Sequence, residues 1–125
     1  MSENEIAKII VDVAYTIHVE LGPGLLESVY EEIMYYELKK RGLHVDRQKP
    51  IPVIWDEIKM DLGFKADLIV ENKVVVELKA VEKTNPVYFR QLMTYLTITE
   101  LKLGLLINFG ERYIKDGIKR VVNGL

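Results

Sequence analysis

The chain contains no cysteine among its 125 residues. A disulfide framework and a thiolate-held metal are both excluded by that absence. It also fits a reducing compartment. No apolar run reaches the roughly 18 residues that a membrane-spanning helix needs. The opening residues, "MSENEIAK", lack the basic-then-apolar order of a secretory signal, so a cytoplasmic protein with no membrane contact is expected. Neither sign of charge dominates: 17 Lys+Arg stand against 19 Asp+Glu, for a formal net charge of −2. That balance argues against a protein that coats nucleic acid non-specifically. It leaves room for a local basic face, and two clusters exist, Lys39, Lys40, Arg41, Arg47, Lys49 and Arg112, Lys115, Lys119, Arg120. Taken alone, each reads as solvated surface charge. Repeats, low-complexity stretches and linkers are also lacking.

What is present is the composition of an ordinary globular domain, 49% hydrophobic and 29% charged. The length suits a single domain over residues 1–125 with one sufficient core. Ser2 and Glu5 form a capping box, and the spacing of Ile6, Ile9, Ile10, Val13, Ala14 and Ile17 predicts a helix from about Asn4 to Glu20. "GPG" (Gly22 to Gly24) ends it. A second helix is expected from Leu26 to Arg41, with Val29, Tyr30, Ile33, Met34 and Leu38 inward and Gly42 as its C-terminal cap.

The period then changes. Ile51–Trp55 and Ile58–Phe64 read as a hairpin around Asp56-Glu57. Ala66–Val70 and Val74–Ala80 read as strands joined by Glu71 to Lys73, where Asn72 suits a tight turn. Asn85 as N-cap and Pro86 at the first helical position start a third helix that runs to about Thr99. Lys102–Gly110 is a buried strand and Gly117–Asn123 a last edge strand. The order α-α-β-β-β-α-β-β predicts a mixed central sheet flanked by helices, in the α/β or α+β class.

One strand carries charges that its surroundings do not explain. "VVVELKAV" (Val74 to Val81) is apolar apart from Glu77 and Lys79. Strand alternation projects these two from one face, with Val76 and Leu78 on the other. A three-residue loop at Glu71–Lys73 sets Val70 against Val74 and hence Asp67 against Glu77. A two-residue loop would slip the pairing and send Asp67 to the opposite face. Directly opposed residues hold their Cβ atoms about 4.5–5.5 Å apart, and two like charges there need something positive between them. Lys79 is one candidate and a divalent cation the other. Two carboxylates and a lysine suit a hard cation such as Mg²⁺, which takes oxygen ligands and promotes phosphodiester hydrolysis.

Asp67 followed by Glu77-Leu78-Lys79 resembles the D…(D/E)-x-K signature of the PD-(D/E)XK nuclease superfamily, whose restriction-endonuclease-like core has the order αβββαβ. Within it, Gly24-x-x-Glu27-x-x-Tyr30 in "LGPGLLESVYEE", together with "FKADLIVENKVVVELKAV", "RQLMTYL" and "LGLLINFG", resembles the GxxExxY family. The resemblance spans about Ile6 to Gly110. It implies a nuclease dependent on Mg²⁺ or Mn²⁺, acting on nucleic acid, DNA before RNA. Asp67 and Glu77 are then metal ligands, with the Leu78 carbonyl as a third and Glu27 as a further carboxylate. Lys79 is the catalytic lysine. Gln91 and Tyr95 resemble a Q-x-x-x-Y motif and share one face of the third helix, where they would contact a phosphate or orient Lys79. Ala66 departs from the proline that names the superfamily, at a position that is not a ligand. A homodimer acting on both strands of a duplex is a further expectation, by analogy of fold.

Plainer readings stand beside these. Asp67, Glu77 and Lys79 could form a buried ion cluster, although such clusters stabilise poorly compared with apolar residues. Glu27 in the first turn of a helix is favoured by the helix dipole alone. Gln91 and Tyr95 could be ordinary surface and core residues. Tyr30 reads as core and His18 as a capping or packing residue. His44 stands alone. A catalytically silent binding module with the same fold is the alternative function.

Overall fold

Ser2 begins the first helix as expected: its hydroxyl accepts from the Glu5 amide, and the Glu5 carboxylate accepts from the Ser2 amide. In the computed structural model, which describes all 125 residues, this helix, α1, covers Glu3–Leu21. It buries Ile6, Ala7, Ile10, Val13, Ala14, Ile17 and His18. Ile9 is only partly covered. Helix α2 follows over Glu27–Lys40. Gly42 takes a φ of 85° just beyond its end, the left-handed conformation a C-terminal glycine supplies without strain.

Five strands form one sheet in sequence order: β1 Val45–Trp55, β2 Ile58–Val70, β3 Val74–Lys79, β4 Leu103–Asn108 and β5 Ile118–Val122. Neighbours are antiparallel except β3 and β4, which are parallel. That parallel step requires a crossover, and helix α3 (Val87–Thr99) supplies it. A short helix, α4 (Ile114–Gly117), leads into β5. The fold is α+β, with the mixed sheet and flanking helices that the sequence predicts.

The sheet has a core on each face. Helices α1 and α2 cover one, against Leu68, Val70, Val74, Val76, Leu78 and Leu105. Helix α3 covers the other through Leu92 and Leu96, against Ile51, Ile69, Val75 and Leu106. Close approach of α3 depends on Gly104, where an added Cβ would lie 2.8 Å from Leu92 Cδ1.

Several boundaries differ from the sequence reading. β1 begins at Val45, six residues before the expected Ile51, because Asp46, Arg47 and Lys49 pair with β2 despite their polarity. Ile58–Phe64 and Ala66–Val70 are one continuous strand rather than two. Helix α3 starts one residue later than expected, with Pro86 at its N-cap, while Asn85 Oδ1 still accepts from the Val87 amide at 2.9 Å. α4 was not expected; four residues carry too little periodicity to register. Val29, expected inward, is 38% exposed, whereas Glu31 on the same helix is buried.

Tyr30 is core, as expected, and ties the sheet to the "GPG" break. Its ring stacks on Phe109 with centroids 4.4 Å apart. Its hydroxyl donates to the Gly22 carbonyl at 2.6 Å and accepts from the Leu25 amide at 3.2 Å. The loop that delivers Glu27 is therefore fastened to the core. Tyr30→Phe keeps the ring and removes both hydrogen bonds, so it should cost about 1 kcal/mol in urea unfolding. An unchanged midpoint would show that the loop is held by other means.

Candidate active site

The backbone ladder between β2 and β3 pairs Val70 with Val74, Ile69 with Val75 and Leu68 with Val76. This is the register of the three-residue loop, in which Glu71 and Asn72 both adopt φ of 54°. At the next rung, carboxylates take the backbone donors. The Asp67 amide donates to Glu77 Oε1 at 3.3 Å, and the Leu78 amide donates to Asp67 Oδ2 at 2.9 Å. The strands fork here, and the two acids occupy the fork.

Glu77 is 8% exposed. Burial, followed by the neighbouring Asp67 charge, pushes its carboxyl up to about 9; the Asp67 amide and Lys79 oppose the shift. Without further positive charge, the fork therefore holds a proton at neutral pH.

Lys79, two residues along β3, does not close an ion pair with either acid. Its Nζ lies over the Tyr88 ring, 4.5 Å from the centroid, in a cation–π contact. Its charge still reaches the acids, for it lowers the carboxyl pKa of both Glu77 and Glu27. Glu27, exposed in the first turn of α2, is raised by partial burial and then by Asp67. It thus borders the fork without entering it. Tyr95 is partly buried, stacked on Phe64 at 3.9 Å. Desolvation, then Glu77 and Asp67, raise its hydroxyl pKa. Gln91, one turn earlier on α3, is exposed. Leu78 is fully buried on the opposite face, in the α1–α2 core. Ala66, in the position of the superfamily's proline, is also fully buried.

Three residues at the site escaped the sequence reading. Tyr88 carries no signal until its ring is seen beneath Lys79. Gln48 Nε2 donates to Asp67 Oδ1 at 3.1 Å and to Glu31 Oε1 at 2.6 Å. Glu31 is 6% exposed and also accepts from Arg47 Nε at 2.8 Å. Its one sequence signal is position: it falls one turn after Glu27, between the inward residues Tyr30 and Met34. Arg47, grouped by sequence with solvated charge, instead pairs with Glu31 and Glu32. His18 is buried and hydrogen-bonds the Glu111 carbonyl at 2.9 Å, a packing role.

The donors at the fork are all oxygens, which suits a hard cation. No three acidic or imidazole side chains converge to ligand geometry. A cation here would rest on Asp67 and Glu77, with backbone oxygen and water completing its shell, and Mg²⁺ commonly keeps several waters. The proton retained on Glu77 marks the same deficit of positive charge. The fork is separate from the roomy groove of about 530 Å³ beside Lys8, Asp12, Tyr15 and Arg41.

The raised carboxyl sets a pH dependence. Glu77 titrates near 9 in the folded chain against an ordinary 4.5. Between those values the folded state binds more protons than the unfolded one. Stability from this group is complete below 4.5 and is lost as pH rises through 9. In EDTA, denaturant unfolding should show wild type weakening from pH 6 to pH 9, with a flatter profile for Glu77→Gln, which imitates the protonated acid. Parallel profiles would contradict the assignment.

A family model described as the PD-(D/E)XK nuclease superfamily matches residues 4–121. No curated protein and no solved structure matches the chain. No helix is long and apolar enough to cross a membrane. The matched segment runs from the first turn of α1 into β5 and includes the whole fork. On that match, over nearly its full length, the chain belongs to the PD-(D/E)XK nuclease superfamily.

Proposed function

We propose that the protein is a nuclease that hydrolyses phosphodiester bonds with the help of Mg²⁺ or Mn²⁺, and that DNA is its substrate in preference to RNA. The observation that carries this reading is the fork itself, where Asp67 and Glu77 replace a rung of the ladder and share too little positive charge. Asp67 and Glu77 hold the cation, with the Leu78 carbonyl and Glu27 as further oxygen donors. A bound divalent ion supplies an activated water and neutralises charge on the phosphoryl oxygens. Lys79 positions the attacking water, and its ammonium rests on the Tyr88 ring beside the fork. Tyr95 and Gln91 line the α3 side and contact the phosphate chain. Gly24, Glu27 and Tyr30 support placement in the GxxExxY family. There Glu27 borders the site, and Tyr30 secures the loop before it. A homodimer presenting two forks to a duplex belongs to the proposal by analogy alone.

One observation favours a second reading. Lys79 rests on Tyr88 rather than against the acids, as it could in a binding module that has kept the fold without turnover. Cleavage assays separate the two. Labelled duplex DNA, single-stranded DNA and RNA would be incubated with Mg²⁺, Mn²⁺ or EDTA. Wild type should cut DNA only with the metal, and Lys79→Ala should lose about 100-fold or more in rate. Binding without cleavage, or cutting that survives both EDTA and the substitution, would remove the catalytic reading.

A further inference from the structure

Residue 48 lies in the middle of β1, yet its backbone φ is 50°. A glutamine gains nothing intrinsic from that left-handed conformation, which non-glycine side chains adopt only at an energetic cost. Strand pairing continues on both sides of it: Arg47 faces Leu68, and Lys49 faces Ala66, in one unbroken register. The irregularity is confined to Gln48 and to Asp67 across from it.

The backbone turn has a specific consequence. In a regular strand, adjacent residues point to opposite faces. Here Arg47 and Gln48 both reach Glu31 on α2, through Arg47 Nε at 2.8 Å and Gln48 Nε2 at 2.6 Å. The second hydrogen of the same Gln48 nitrogen goes to Asp67 Oδ1 at 3.1 Å. A side-chain amide nitrogen has two donors and no acceptor, and both are spent on carboxylates. Asp67 then has one donor on each oxygen, Gln48 on Oδ1 and the Leu78 amide on Oδ2. Its rotamer is fixed from two sides, and each oxygen keeps a free lone pair.

We propose that Gln48 is a positioning residue for the cation site: anchored to buried Glu31, it orients Asp67 for metal binding. The strained conformation is kept because it puts the amide between the two acids. The proposal rests on the cation reading of the fork. Partners that orient a ligand in this way typically change metal affinity by about 10–100-fold when removed.

The test uses the full chain and Mn²⁺ alone, with the dissociation constant followed by electron paramagnetic resonance of free Mn²⁺. Gln48→Gly tolerates the positive φ and removes the amide. Gln48→Asn also tolerates it but is one methylene too short to bridge. Both should bind Mn²⁺ about 10–100-fold more weakly than wild type while unfolding cooperatively without metal. Wild-type affinity in either folded variant would overturn the proposal and leave the cation site standing. Failure of both variants to fold would assign Gln48 to the fold and overturn it too. If wild type itself bound no Mn²⁺, the cation reading beneath the proposal would fall instead.

Discussion

Two carboxylates lie at the point where β2 and β3 separate, and much of the structure can be read as support for that placement. Like charges facing each other across a sheet are unfavourable. Here they take backbone donors that the ladder would otherwise use, the Asp67 and Leu78 amides. Burial of Glu77 sharpens the repulsion until a proton is retained near neutrality. The alternative to the proton is a cation. A sheet that needed only stability would fill these positions with apolar residues, as Val75 and Ile69 do two rungs away on the same face.

The surrounding elements each fix one part of this arrangement. α2 brings Glu27 to the border and Glu31 into the interior, where Arg47 and Gln48 satisfy it. Tyr30 secures the loop that starts α2. α3, brought close by Gly104, sets Tyr88 under Lys79 and Tyr95 within the field of both acids. The two cores lie on opposite faces and so clamp the fork from both sides. Rigid elements rather than mobile loops hold the acids, as a site that must limit ligand movement requires.

Local signals were the legible ones. The capping box at Ser2 and Glu5, the tight turn at Asn72 and the helical spacing of Ile6 through Ile17 all act within a few residues, and each gave the observed element. The opposition of Asp67 and Glu77 hung on loop length, which the sequence left open between two and three residues; the fold has the three-residue loop. The start of β1 was not legible because Asp46, Arg47, Gln48 and Lys49 look like a polar loop. Their partners, Glu31 and β2, lie more than a dozen residues away in sequence. Gln48 and Tyr88 failed to register for the same reason: their roles exist only through contacts made by the folded chain. The single strand Ile58–Val70 reads as two in sequence, with the break at Lys65; in the fold that residue pairs with Pro50 and the strand runs through.

Calorimetric titration of Mg²⁺ or Mn²⁺ at pH 7.5, repeated in buffers of different ionisation enthalpy, tests the central claim most directly. If the cation replaces the proton that Glu77 holds, binding should release about one proton per ion, and Glu77→Gln should abolish that release. Binding with no proton released, or no binding at all, would contradict a fork built around a missing positive charge.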